Sequence, residues 1–195
     1  MLEQLFGSRT RLKLLKIFLL RRQKKYYVRE LTRLAGEHIN SVRRELAHLE
    51  SLDLLSSETV DKKKFYTAHP HSLLYPELRA LLYKARLTTE KIFVDHMKAL
   101  GTVSYLALLG MFTGSEASDA QAPTDIFIVG NVHRGKLDAL LHMLQPDFDR
   151  QIYYTIMTPQ EFQYRLDITD KFVFDILRSK KIVIIDTLNV QDQHG

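Results

Sequence analysis

The sequence predicts an α+β protein built in two parts, and three observations carry that expectation. Residues 1–70 show helical apolar spacing in three successive segments, then two β-prone segments around a lysine-rich tip. From residue 102 onward, β-prone runs alternate with amphipathic ones, the pattern of a small mixed sheet with helices. Charge divides in the same way. Residues 1–87 carry 18 Lys+Arg against 9 Asp+Glu, a net +9, and residues 88–195 carry 10 against 14, a net −4. The expected boundaries are residues 1–70, a helical connector over 71–101, and a second domain over 102–190.

A chain of 195 residues, 45% of them hydrophobic, can bury one large core or two small ones. It has no cysteine, which excludes disulfides, thiolate zinc sites and cysteine nucleophiles. That suits a reducing cytoplasm, the expected location. No apolar run approaches the roughly 20 residues that span a membrane. The opening "MLEQLFGSRTRLKLL" lacks the apolar core and cleavage site of a signal peptide. No membrane partner is expected.

In the basic half, Arg9 to Arg22 reads as a helix, with Leu12, Leu15, Phe18 and Leu19 on one face. Tyr26–Val28 is β-prone, and Arg29 to Leu34 reads as a short helix stopped by Gly36. Ile39 to Leu52 reads as a longer helix with Val42, Leu46 and Leu49 inward and Asn40, Ser41, Arg43, Arg44 and His48 off that stripe. Leu54–Val60 and Phe65–Ala68 then flank the tip "DKKK". The stretches "LFGSRTRLKLLKIFLL", "YYVRELTRLAG" and "INSVRRELAHLESLDLL" resemble prokaryotic winged helix-turn-helix regulators of the ArsR/MarR kind, over about the first 70 residues. The resemblance implies double-stranded DNA as partner and a homodimer. Such a layout presents the second helix of the motif to the major groove. Arg43 and Arg44 are candidates for guanine, and Asn40 for adenine. Ser41 stands on the same helix, and Lys62, Lys63 and Lys64 at the hairpin tip would lie against phosphates or a neighbouring minor groove. Arg29 and the "RRQKK" run would add backbone contacts.

In the connector, Pro76 and Glu77 suit the first turn of a helix with Leu78, Leu81 and Leu82 on one face. Thr88 to Leu100 suits a second helix. Such helices commonly carry the dimer contact in winged-helix regulators, and could equally pack inside the monomer. His69 and His71 have no third ligand near in sequence, so a polar loop is expected there rather than a metal site.

In the acidic half, Thr102–Leu109, Asp125–Val129, Gln151–Met157 and "KIVIID" read as strands. "NVHRGKLDALLHML", a segment starting at Thr158-Pro159-Gln160-Glu161, and "DKFVFDILRSK" read as helices, the second opened by a capping box. The stretches "LGMFTGSE", "TDIFIVGNV", "IMTPQEF" and "KIVIID" resemble minimal nucleotidyltransferase domains. In that family a glycine-serine turn approaches triphosphate, and two carboxylates two residues apart hold divalent metal. Here Gly110 matches the glycine but Met111 replaces the serine. A second register uses Gly114 and Ser115. Asp125 matches the first carboxylate, Phe127 replaces the second, and "QIYYTIM" supplies no acid. Asp149, just before it, is poorly placed. One carboxylate is too few to clamp Mg²⁺ against phosphate. The expected vestigial nucleotide site is Gly110, Gly114, Ser115 and Asp125, with no catalysis, metal or cofactor.

The expected protein is therefore a cytoplasmic DNA-binding transcriptional regulator. Its inactive nucleotidyltransferase-like domain would sense a small molecule, oligomerise or dock a protein effector. The rivals are a divergent active nucleotidyltransferase and an antitoxin-like interaction module.

Overall fold

The computed structural model describes residues 2–20, 24–89, 99–114, 124–148 and 150–190, a mixed α+β chain with two small sheets. It divides into two compact units, Met1–Leu82 and Tyr83–Gly195.

The first unit begins with α1 (Leu2–Phe6) and α2 (Arg9–Leu19). Ser8 caps α2, its hydroxyl accepting from the Arg11 N–H, which satisfies a donor that the first turn leaves open. Leu12, Leu14, Leu15, Phe18 and Leu19 are buried. After β1 (Tyr26–Tyr27), α3 (Val28–Ala35) ends at Gly36, whose φ of +60° is the left-handed conformation that glycine adopts without strain. α4 (Ile39–Ser51) turns Val42, Leu46 and Leu49 inward, as its spacing requires. β2 (Leu55–Val60) and β3 (Lys63–Ala68) pair antiparallel, and β1 adds to β3, giving the order β1-β3-β2. Val60 opposes Lys63, so only Asp61 and Lys62 form the turn, both at positive φ (48° and 60°), a type I′ hairpin. The expected helix to Arg22 stops at Leu19, and residues 21–23 of the "RRQKK" run lie outside the described residues. α5 (Tyr75–Thr89) follows, and the division between the units falls within it. The expected helix from Thr88 to Leu100 lies largely outside the described residues.

The second unit holds β4 (Gly101–Leu108), β5 (Ile126–Val132), α6 (Arg134–Leu144), β6 (Tyr154–Met157), α7 (Pro159–Asp167), α8 (Lys171–Arg178) and β7 (Ile182–Asp186). The sheet order is β6-β5-β4-β7. β4 pairs antiparallel with β5 and β7, and β5 pairs parallel with β6, the geometry that demands a crossover such as α6. One sheet face packs Tyr105, Ala107, Phe127, Val129 and Met157 against Phe162 of α7 and Val173 and Ile176 of α8. Thr158 caps α7 through the Glu161 N–H, with Pro159 in the first turn. The capping box is only half formed, because the Glu161 carboxylate bonds Arg165 instead. β6 begins three residues later than expected. The Tyr153 backbone serves residues 125 and 126, its carbonyl accepting from both N–H groups. Among the described residues no helix is long and apolar enough to cross a membrane.

Candidate functional site

The apolar stripe of α4 fixes what its other face can offer. Asn40, Arg43, Arg44, Ala47, His48 and Ser51 are exposed and recur at helical spacing, so they form one stripe along the helix; Ser41 is half-buried beside it. Arg29 and Arg33 are exposed one turn apart on α3. Lys62 and Lys63 are exposed at and beside the hairpin turn. Among the described residues, the side chains of Arg29, Arg33, Asn40, Arg43, Arg44, Lys62 and Lys63 make no hydrogen bond or ion pair.

Five acids of this unit pair with other groups. Glu37 takes Lys13 at 2.7 Å and Arg9 at 3.2 Å. Glu45, buried in α4, accepts from Arg11 and from the Ser8 hydroxyl, both at 2.8 Å. Glu58 takes Lys25 at 2.5 Å, and Asp53 meets His69 at 2.9 Å. Burial pushes the Glu45 carboxyl up, but the Ser8 and Arg11 hydrogen bonds outweigh it and hold the group below its ordinary value. Glu50 accepts from the Ser57 hydroxyl and from Lys64 at 2.9 Å. Lys64, expected at the tip with its two neighbours, instead lies within β3, bonded to Glu50 and 5.0 Å above the Tyr66 ring. The Glu50 hydrogen bond raises its pKa. These five acids take Arg9, Arg11, Lys13, Lys25, Lys64 and His69, and none of the cations on the exposed faces of α3 and α4 or at the hairpin turn.

In the second unit Asp125 is buried at the entrance to β5. Arg150 grips it with two guanidinium bonds, Nη1 to Oδ2 at 2.9 Å and Nη2 to Oδ1 at 2.5 Å. The Met111 N–H donates to Oδ1 at 3.2 Å and the Tyr153 N–H to Oδ2 at 3.0 Å. Four donors meet about four lone-pair positions, so the carboxylate is saturated by its own chain. Gly110 makes this possible: at φ +46°, a Cβ there would stand 2.5 Å from Oδ1. Phe127, two residues on, is fully buried between Tyr105 and Phe162. Gly114 is a turn glycine with φ +77°, and Ser115 and Asp149 lie outside the described residues. Among the described residues no three His, Cys, Asp or Glu side chains are placed to hold a metal ion, His69 and His71 included. Sequence reasoning missed Arg150. It sits in a stretch without helix or strand, 25 residues from its partner, and no local pattern marks it.

No family model matches the chain, and neither a curated protein nor a solved structure matches it.

Proposed function

We propose that this protein is a cytoplasmic DNA-binding transcriptional regulator. On this reading the N-terminal unit is a winged helix-turn-helix acting in a homodimer. The C-terminal unit is a nucleotidyltransferase-like fold without transferase chemistry, kept for sensing an effector or for assembly. The observation that carries the reading is the exposed, unpaired row Asn40, Arg43, Arg44 on α4, flanked by Arg29 and by Lys62 and Lys63. A helix face of this width fits the roughly 12 Å major groove. An unpaired guanidinium there can donate two bonds to guanine, whereas the Asn40 amide can donate to adenine N7 while its oxygen accepts from N6–H. The hairpin lysines, exposed at and beside a two-residue turn, suit phosphate rather than base recognition. The saturation of Asp125 favours an inactive second unit, because phosphoryl transfer needs carboxylate oxygens open to metal.

The test is selection of duplex DNA from a random pool, followed by affinity against salt. Each neutralised phosphate contributes about −0.9 to the slope of log K against log salt, so a dimer should give about −4 or steeper. Arg43→Ala or Arg44→Ala should cost about 1–3 kcal/mol on the selected site and relax its base preference. Replacing Lys62 and Lys63 together should weaken all sequences alike. Binding that is absent at low salt or indifferent to salt would overturn the reading. Incubation with labelled nucleoside triphosphates and Mg²⁺ or Mn²⁺ should give no transfer. Transfer that vanishes in Asp125→Ala would make the second unit an enzyme.

A further inference from the structure

We infer that Glu50 is the positioning residue that fixes the β2–β3 hairpin to α4, and so decides whether Lys62 and Lys63 reach DNA in step with Arg43 and Arg44; this rests on the DNA-binding reading above. Glu50 stands in the last turn of α4. Its two carboxylate oxygens hold different strands of the hairpin. Oε1 accepts from Ser57 on β2, and Oε2 accepts from Lys64 on β3 at 2.9 Å. Lys64 in turn lies over the ring of the buried Tyr66.

The position of these bonds along the hairpin matters. β1 pairs with β3 only at Tyr66 and Phe65. Beyond them, the rungs Thr59–Lys64 and Val60–Lys63 have two strands alone. A two-stranded ribbon is marginal by itself. Lys64 is on the first such rung, so the Glu50 bond secures the hairpin where the third strand ends. Helix energetics do not account for an acid here. The negative end of the α4 dipole disfavours a carboxylate in the last turn. The hairpin partners compensate, and the three groups hold the tip lysines at a fixed offset from the α4 stripe.

The test uses the full chain and a duplex selected as above. Salt slopes are measured for the unmodified protein, for Glu50→Ala, for Lys62→Ala with Lys63→Ala, and for all three changes together. Glu50→Ala should make the slope shallower by up to about 2 per protomer, the share of two lysines. In that background, removing Lys62 and Lys63 should add little. The charge swap Glu50→Lys with Lys64→Glu, which rebuilds the pair, should restore the slope. Hydrogen exchange of the hairpin amides should quicken in Glu50→Ala by about tenfold or more and return in the swap. Should Glu50→Ala fail to fold, Glu50→Gln, which keeps the side chain's shape, takes its place. Effects of Glu50→Ala and of the lysine pair that simply add would overturn the inference, as would a folded swap that leaves the slope shallow. Absence of binding by the unmodified chain would instead overturn the DNA reading, and the inference with it.

Discussion

Asp125 meets a full set of donors before any ligand arrives, and the stability of its surroundings follows from that. Arg150→Met would leave a buried carboxylate with only the Met111 and Tyr153 backbone donors. Breaking a buried pair from one side costs about 3–5 kcal/mol. The lower end is expected here, because the Arg150 side chain is 29% exposed. Gly110→Ala should cost about 1–3 kcal/mol, from a left-handed φ and a Cβ driven against Oδ1. Urea denaturation of each variant measures both. The double variant Arg150→Met with Asp125→Asn should cost clearly less than the two single variants summed, since both singles remove the same interaction. Strict additivity would mean that the pair contributes nothing.

At the scale of the element, α4 separates its charges by face. Its cations point outward, while Glu45 and Glu50 reach back to the start of α2 and to the hairpin. Glu45 gives this arrangement a pH dependence. Its folded pKa lies below the ordinary 4.5, so the folded chain holds this proton more weakly than the unfolded one. The stabilisation is complete above that value and drains away as pH falls through the folded pKa. Glu45→Gln should therefore lower stability at neutral pH by about 1–3 kcal/mol and flatten its decline between about pH 5 and pH 3. Melting temperatures across that range test it; an unchanged acid limb would show that other carboxylates dominate. Much of α4 was legible in advance, because Val42, Leu46 and Leu49 repeat at the helical period and leave Arg43 and Arg44 only one direction to point. The cap at Thr158 was legible too, since a Thr-Pro pair before an amphipathic run has a local meaning. The fate of Lys64 was not, because it depends on Glu50, 14 residues away on another element. The late start of β6 escaped for a similar reason: Tyr153 is β-prone, but its N–H belongs to the Asp125 side chain rather than to a ladder. Periodicity specifies faces, whereas partners across the fold are set by closure of the chain.

For the whole molecule, the division of charge makes a separable expectation. The unpaired cations assigned to DNA all lie between Arg29 and Lys63, inside the unit ending at Leu82. A fragment of residues 1–89, which retains α5 whole, should keep the salt slope per bound protomer within about one unit of the full chain. A larger loss, measured by anisotropy with the stoichiometry fixed, would mean that residues beyond 89 also neutralise phosphate. The second unit invites a different consideration. A counter-ion borrowed from solution obeys mass action: it has an affinity, it can be outcompeted, and a chelator can strip it. The guanidinium that balances Asp125 is tethered by the backbone, so it has no bulk concentration to fall. The charge balance of that site is inherited at synthesis and travels with the molecule through any change in the ionic content of its surroundings.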